Sequence, residues 1–260
     1  MAFRKMYNIL CGDQTLYRTY LHNGIPRHIN NPLNVTLLER PIKKIMSWNI
    51  QELFWYSNPK KINNVIEYLK QSDCDVVCLQ EVFELSSLEK ILYNKELLRK
   101  YPFSITGCMR SKYLFGENSG LLVLANQPIK YVNFEPLFPF EFPDSFASKG
   151  VLYFTVGKRN FATTHLQSAN ELIAAQQMRL AQDSSPFGSN FILLGDLNHR
   201  HADIYLRCKK NNYCRTSEDN TIIDYILPMN EKYCDIDVIV DNICLTGVSD
   251  HWPLIATFNN

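Results

Sequence analysis

The chain lacks the features of a membrane-spanning, secreted or strongly basic protein. No apolar stretch approaches the roughly 18 residues of a membrane span, and the first residues lack the apolar core of a signal peptide. The 27 basic and 26 acidic residues give a formal charge of +1, so no global basic field indicates nucleic-acid binding. We therefore expect an intracellular, cytoplasmic protein without a transmembrane segment.

The eight cysteines are not spaced as a metal or redox site. No CxxC pair is present, and the cysteines do not form the compact framework of a small secreted domain. Cys74 and Cys78 lie in or beside an apolar run, where a buried thiol behaves as a small hydrophobic side chain. This usage favours a reducing compartment.

No internal repeat or low-complexity linker divides the chain. With 260 residues, of which 46% are hydrophobic, it is long enough to bury a substantial core. Residues 1–41 carry scattered Asn, His, Pro and Gly and predict an irregular extension of unknown role. The expected globular domain spans residues 42–260, and we expect it to be a monomer.

From residue 42 onward, strand-like and helix-like patterns alternate. Pro59 opens a helix in which Ile62, Val65 and Leu69 fall on one face. Further helices are predicted at 86–99 and 171–182, and strands at 42–50, 75–82, 120–125, 150–156, 161–165, 191–195, 221–227, 238–240 and 252–258. Apolar strands with a few amphipathic helices predict an α/β fold in which packed sheets are flanked by helices.

The segment 134–143 is the most unusual loop. Its prolines prevent a helix, and its density of aromatic residues exceeds what a solvated loop needs. Two interpretations are open for it, namely a flap packed against the core and an edge that contacts lipid or nucleic-acid bases. The packed flap is favoured.

Short polar clusters stand at the ends of the predicted strands. Acids, amides and imidazoles collected there are what Mg²⁺-assisted hydrolysis of a phosphate ester requires, since the ion needs oxygen ligands and the water needs a base. A single cluster would indicate a turn, whereas the series predicts a phosphodiesterase site. The clusters are Ser47–Asn49, Gln80–Glu81, Thr164–Gln167, Gly195–Asn198, Ile223–Tyr225 and Ser249–His251.

The earlier clusters supply candidate ligands for a metal and for phosphate. Glu81 leaves a buried strand where the chain must turn, and we expect it to bind Mg²⁺. Asn49 ends the preceding strand and would present either its amide oxygen to the metal or its NH₂ group to a phosphate oxygen. Asp196 and Asn198, two residues apart in an extended segment, would point an acid and an amide toward one substrate.

The later clusters supply an acid and an imidazole that suit each other. Asp224 lies inside an apolar run, where a carboxylate demands a partner. A histidine base needs an orienting carboxylate at its other ring nitrogen, so Asp224 is the best partner for His251. Asp250 can then turn toward the metal, and His165 supplies a second imidazole that can donate a hydrogen bond to phosphate.

These motifs, in this order, resemble the endonuclease/exonuclease/phosphatase superfamily. The similarity runs from about residue 45 to 258 and rests on Trp-Asn-Ile, Leu-Gln-Glu-Val, Thr-His-Leu, Gly-Asp-Leu-Asn, Asp-Tyr-Ile and Ser-Asp-His. The resemblance implies a four-layered α/β sandwich of two mainly antiparallel or mixed β-sheets flanked by helices. It also implies an enzyme, a metal-dependent phosphoric ester hydrolase that uses Mg²⁺, with Mn²⁺ as a substitute.

The resemblance assigns the candidates to roles around the metal and the water. Glu81 is the principal metal ligand, helped by Asn49 and Asp250. Asp224 and His251 form the base dyad of the family. In-line attack of the activated water on phosphorus is the implied reaction, with the metal stabilising the negative charge.

The same resemblance gives the remaining candidates roles in orienting the attacking water and in binding the phosphate. Asp196 would orient or deprotonate the water, while Asn198 and His165 would hydrogen-bond the phosphoryl oxygens as charge builds. The Lys149-Gly150 pair, followed by a short strand and Thr-His-Leu-Gln, is similar to neutral sphingomyelinases and would place Lys149 near the phosphate. In motif detail the chain is closest to that branch, which favours phospholipid cleavage with peripheral membrane contact.

Other interpretations stay open. A DNA or RNA nuclease fits the shared site, which recognises only a phosphodiester. Inositol polyphosphate phosphatases share the pattern of Gly195–Arg200 but place Arg where this chain has Tyr225. Abasic-site endonucleases carry an acid where this chain has Gln51 and are disfavoured. A non-enzymatic binding module is disfavoured because every expected position is filled.

Overall fold

The computed structural model describes residues 40–53, 58–107, 118–206, 215–230, 235–241 and 248–259. The predicted N-terminal extension therefore lies, apart from its last two residues, outside the described part. The strands in chain order are β1 (Lys44–Glu52), β2 (Val76–Val82), β3 (Phe103–Thr106), β4 (Leu122–Ala125), β5 (Ile129–Pro136), β6 (Gly150–Val156), β7 (Arg159–His165), β8 (Ile192–Asp196), β9 (Asp224–Pro228), β10 (Ile236–Val240) and β11 (Leu254–Phe258).

These strands form two mixed sheets. The first has six strands in the order β10-β11-β1-β2-β4-β3, and the second has five in the order β5-β6-β7-β8-β9. Each sheet holds one parallel pair near its centre, β1 with β2 and β7 with β8, and its other neighbours run antiparallel. Two mixed sheets of this kind confirm the predicted architecture.

Helices cover the outer face of each sheet. They are α1 (Pro59–Gln71), α2 (Leu85–Tyr93), α3 (Lys95–Lys100), α4 (Glu171–Asp183) and α5 (Ala202–Tyr205), and a short 3-10 turn spans Asp144–Phe146. Asn58 caps α1 by accepting a hydrogen bond from the Lys60 amide, and Pro59 fills the first helical position. Asn170 caps α4 through the amides of Leu172 and Ile173. In the described part of the chain no helix is long and apolar enough to cross a membrane.

The core is divided into an inner and two outer layers. Between the sheets, buried side chains of both meet, including Ile45, Val76 and Val123 from the first and Phe154, Phe161 and Leu194 from the second. On the outer side of the first sheet, apolar residues of α1 and α2 pack against β1 and β2. On the outer side of the second sheet, α4 packs against β6 to β9. The molecule is thus the predicted four-layered α/β sandwich.

Some predicted elements differ in their limits. The single helix expected at 86–99 is divided into α2 and α3, because Asn94 has an extended backbone and caps α3 through the amides of Glu96 and Leu97. The strand expected at 221–227 begins only at Asp224. The strands β3 and β5 had not been predicted.

The aromatic segment 134–143 combines both expected behaviours. Phe134 and Leu137 are buried, as a packed flap requires. Phe138 and Phe142 are 47% and 74% exposed, which leaves apolar surface on the outside of the same segment. The prediction of a flap is therefore correct for the beginning of the segment only.

Candidate active site

The sheet topology brings the predicted polar clusters to one edge. Asn49 and Gln80 are register partners in the parallel pair of β1 and β2, so Glu81 follows beside Asn49. His165 and Asp196 are register partners in the parallel pair of β7 and β8. Asp224 starts the antiparallel strand β9 opposite Asp196. Because these strand ends share one edge of the sandwich, side chains from both sheets converge.

Asn49 links the two sheets at this edge through hydrogen bonds to a carboxylate of each. Its side-chain Nδ2 donates to Glu81 Oε1 at 3.0 Å and to Asp196 Oδ2 at 3.0 Å. Its Oδ1 accepts from the Gln51 amide at 2.9 Å. The amide nitrogen, rather than the oxygen, therefore faces the two carboxylates.

Glu81 and Asp196 are carboxylates in largely desolvated positions. Burial raises the pKa of Glu81, against the hydrogen bond from Asn49 that lowers it. Burial, together with the charge of Asp224, raises the pKa of Asp196 to about 7. Asp196 Oδ1 also accepts from the Asn198 amide at 3.0 Å, which forms an Asx-type turn within the site.

Gly195 allows Asp196 to reach this position. Its φ of 144° is a conformation that side-chain-bearing residues rarely adopt. A Cβ atom placed there would lie 1.9 Å from the Thr164 carbonyl oxygen on β7. The glycine thus permits the close approach of β7 and β8 just before their functional residues.

His165 lies between the carboxylates of the two sheets. Its Nε2 is 3.6 Å from Glu81 Oε1 and 3.7 Å from Asp196 Oδ2. Burial lowers the pKa of His165 well below its usual value, and the Lys149 ammonium acts in the same direction. Its Nδ1 is buried and has no hydrogen-bond partner among the described residues.

His251 and Asp224 form the predicted pair. His251 Nδ1 and Asp224 Oδ2 are 2.8 Å apart, and both side chains are buried. Burial alone would lower the pKa of His251, but the charge and hydrogen bond of Asp224 raise it well above the usual value. Trp48 Nε1 donates to the His251 carbonyl at 3.0 Å, and His251 Nε2 is 3.8 Å from Asp196 Oδ2.

The convergence extends to Asp250, which lines the same cavity as Glu81. This cavity has a volume of about 300 Å³. Asp250 Oδ1 is 3.9 Å from His251 Nε2, and Asp250 Oδ2 accepts from Gln51 Nε2 at 2.7 Å. The residues lining the cavity are Gln51, Leu53, Glu81, Phe83, Pro143, Asp144, Ala147, His165, Ser168 and Asp250.

Lys149 and Asn198 lie behind this inner set. Lys149 Nζ is 2.8 Å from Asp144 Oδ1 and donates to the Leu166 carbonyl at 3.0 Å. Asn198 Nδ2 donates to the same carbonyl at 3.0 Å. Of this group it is Asp144, rather than Lys149 or Asn198, that lines the cavity.

Three residues of the site were not among the predicted ones. Gln51 and Asp144 line the cavity, and Lys61 donates to Gln51. A signal for Lys61 existed, because it is a charged residue four positions before Val65 on the inward face of α1. For Gln51 the sequence offered only its place after Asn49, and for Asp144 only its place in the segment before Lys149.

The donor set suits a divalent cation. Ligand atoms of Glu81, His165 and Asp196 lie within 4.8 Å of one another, and a second such group comprises Asp196, Asp224 and His251. Carboxylate oxygens are the donors that Mg²⁺ prefers, and Asp250 Oδ1 is a further buried carboxylate oxygen without a hydrogen bond among the described residues. The side chains present therefore fit a divalent metal ion.

Solved structures of other proteins share this fold. Sphingomyelinase C from Streptomyces griseocarneus is 17% identical over 85% of this chain and 100% of that chain, with a TM-score of 0.69. A beta toxin mutant from Staphylococcus aureus with bound magnesium ions is 18% identical over 84% and 100%, with a TM-score of 0.69. Truncated TDP2 from Caenorhabditis elegans is 18% identical over 84% and 98%, with a TM-score of 0.58.

Sequence comparison gives the family directly. Among curated proteins, none matches the chain in sequence. The family model for the Endonuclease/Exonuclease/phosphatase family, however, matches residues 46–251, which include every predicted site residue. The chain therefore belongs to the Endonuclease/Exonuclease/phosphatase family of metal-dependent phosphoric ester hydrolases.

Proposed function

We propose that the protein is a Mg²⁺-dependent phosphodiesterase that acts on a phospholipid of the sphingomyelin type. The observation that carries the hydrolytic part is the approach of Glu81, Asp196 and His165 to one another across the two sheets, beside the His251–Asp224 pair. Such a set combines oxygen ligands with groups that can move a proton.

Glu81 and Asp250 are the proposed ligands of the cation. Both line the cavity, and their mutual repulsion contributes to the raised pKa of Glu81, as expected for acids that share a site. Asn49 donates from its Nδ2 to Glu81, so its proposed role is to position this ligand rather than to bind the cation through that nitrogen. When bound, Mg²⁺ would stabilise negative charge on the phosphoryl oxygens.

Asp196 is the proposed group that accepts a proton from the attacking water, and His251, which Asp224 keeps positively charged, is the proposed partner that orients the water and Asp196. A carboxylate with a pKa of about 7 can accept a proton from an attacking water near neutral pH. Asp224 fixes the ring of His251 through Nδ1, so that Nε2 points toward Asp196 at 3.8 Å. This arrangement keeps the acid and the imidazole on the same reacting water.

His165, Asn198 and Lys149 are proposed to stabilise the phosphate. His165 is neutral because of its lowered pKa and can donate one hydrogen bond to a phosphoryl oxygen from inside the cavity. Asn198 and Lys149 share the Leu166 carbonyl behind it. Asn198 and Lys149 would act on the phosphate mainly by fixing the position of the Leu166 backbone. Lys149 would also act through its positive charge.

The proposed lipid substrate has two supports beyond the motif similarity. The cavity combines its acids and imidazole with apolar lining from Leu53, Phe83 and Pro143. Pro143 also ends the segment 134–143, in which Phe138 and Phe142 expose apolar surface. We propose that the enzyme contacts the lipid surface peripherally on this side.

The test is a substrate panel with Mg²⁺ and with EDTA. Sphingomyelin vesicles, inositol phosphates, plasmid DNA and RNA would be compared, and we expect release of phosphocholine from sphingomyelin that EDTA abolishes. Strong nicking of DNA without lipid turnover would overturn the substrate but leave the hydrolytic chemistry in place.

Variants test the residue roles. Glu81→Gln and His251→Ala should each lower Mg²⁺-dependent turnover by about 10²-fold or more. Glu67→Gln is the matched control, because among the described residues Glu67 forms only an exposed pair with Lys70 on α1. Turnover by Glu81→Gln equal to that of the wild type would refute the assigned metal ligand.

A further inference from the structure

Lys61 is a buried lysine beside the active site. It lies on the inward face of α1 and is 7% exposed. Burial lowers the pKa of Lys61, while the charges of Glu52, Asp250 and Glu81 act in the opposite direction. An ammonium group in such a place is costly unless it is hydrogen-bonded, so its partners indicate why it is there.

The partner of Lys61 is Gln51. Lys61 Nζ donates to the backbone oxygen of Gln51 and to its side-chain Oε1, the latter at 3.3 Å. Because a lysine ammonium has donors only, it selects one orientation of the Gln51 amide, with the oxygen toward Lys61 and the nitrogen away from it. That nitrogen then donates to Asp250 Oδ2 at 2.7 Å.

Gln51 is held in a strained backbone conformation. Its φ is +48°, which is uncommon for a residue with a side chain. The backbone amide donates to Asn49 Oδ1 at 2.9 Å, while the backbone oxygen accepts from Lys61. Gln51 thus contacts both Asn49, which positions Glu81, and Asp250, a proposed metal ligand, and its own position is held by Lys61.

The hydrogen bond from Gln51 engages one oxygen of Asp250. The other oxygen, Oδ1, is buried and has no hydrogen bond within the described ranges. It lies 3.9 Å from His251 Nε2, on the side of the reacting groups. The hydrogen bond from Gln51 to Oδ2 therefore sets the orientation of the Asp250 carboxylate.

We infer that Lys61 is a positioning residue that, through the Gln51 amide, fixes the Asp250 carboxylate for the cation. This inference rests on the proposed function, in which Asp250 is a metal ligand. A lysine with a purely structural role would stabilise α1 against β1 without affecting the cation.

The experiment compares Lys61→Met with Lys100→Met. Lys100 is the matched control, because it is a partly buried lysine that donates to the backbone oxygens of Lys70 and Ser72 at the other end of α1. Mg²⁺ binding would be measured by calorimetry without substrate, and thermal melting would establish that each variant is folded. We expect K61M to weaken Mg²⁺ binding by about 10- to 100-fold and K100M to leave it unchanged.

A double-mutant cycle tests the route through Gln51. If Lys61 acts through that amide, Gln51→Leu combined with K61M should weaken Mg²⁺ binding no more than the stronger single variant does. Fully additive effects would overturn the inference. Lys61→Gln replaces K61M in both experiments if K61M does not fold, and the same weakening is expected because its shorter side chain cannot reach both Gln51 oxygens.

The outcomes separate this inference from the proposed function. Wild-type Mg²⁺ affinity in K61M, with only a lower melting temperature, would show a structural lysine and overturn the inference alone. Wild-type affinity in Glu81→Gln, or the absence of any Mg²⁺ binding by the wild type, would overturn the proposed metal site and this inference with it.

Discussion

At the scale of single residues, the charge of His251 depends on Asp224. The carboxylate raises the pKa of His251 against the effect of burial, so Asp224→Asn should lower this pKa strongly. Turnover should fall by about 10²- to 10⁴-fold, because the imidazole loses the hydrogen bond that orients it and the negative charge that stabilises its protonated form. NMR titration of the histidine ring checks the pKa, with His199 as an internal reference. An unchanged titration of His251 would contradict the assignment.

Asp144 is a second residue whose ionisation matters, here for stability. Burial opposes its negative charge, but the Lys149 ammonium and the Ser168 amide hold the pKa of Asp144 below its ordinary value of 3.8. A lowered folded-state pKa means that the stabilisation is full above the unfolded-state pKa and is lost as the pH falls through the folded-state pKa.

Asp144→Asn should therefore destabilise the protein in a pH-dependent way. At pH 7 the loss should be about 3 kcal/mol, because Lys149 keeps a buried charge without its partner. The difference between variant and wild type should start to shrink below about pH 4, where Asp144 becomes protonated in the unfolded wild type, and should shrink further as the pH falls toward the lowered folded-state pKa. Urea unfolding at pH 7 and pH 3 measures both values, and a difference independent of pH would contradict the ion pair.

At the scale of elements, the spacing of β7 and β8 depends on Gly195. Gly195→Ala would place a Cβ atom 1.9 Å from the Thr164 carbonyl oxygen, so backbone strain and overpacking should together cost about 3 kcal/mol or more. Gly188→Ala is the control, because Gly188 also has a positive φ but nothing lies within 4 Å of the added atom. Its cost should be about 1 kcal/mol. Equal costs in denaturant unfolding would show that the close approach is unimportant.

The elements also show how far the sequence predicts the molecule. The pair of Asp224 and His251 was predictable, because an acid within an apolar strand needs a partner and a histidine base needs an orienting acid. The division of the helix at 86–99 was not, since Asn94 is compatible with a helix interior as well as with a cap. Local periodicity does not distinguish these cases.

The supporting residues Lys61 and Asp144 were harder to predict from the sequence than the catalytic candidates. Lys61 reaches Gln51 only because α1 packs across the end of β1, and Asp144 meets Lys149 only because the chain turns between them. The first contact depends on tertiary packing and the second on the local course of the chain, and neither follows from a regular helix or strand spacing. The order of the polar clusters predicted which strand ends meet, but not which side chains support them.

At the scale of the whole molecule, the site joins the two sheets. Asn49 and Glu81 come from the first sheet, and His165 and Asp196 come from the second. A cation bound among them would stabilise the native state relative to the unfolded chain, by about 2.7 kcal/mol at a concentration 100 times its Kd. Mg²⁺ should therefore raise the melting temperature of the wild type but not of Glu81→Gln. A shift of equal size in both proteins would argue against this site.

The hydrogen bonds of Asn49 have a mechanical consequence. A mutation deep between the layers that lets one sheet slide by about an ångström over the other would lengthen the bond from Asn49 to Asp196 while sparing the bond to Glu81. Circular dichroism would then report two intact sheets in a protein that no longer turns over substrate. The rate of turnover should consequently depend closely on how the two sheets are aligned with each other.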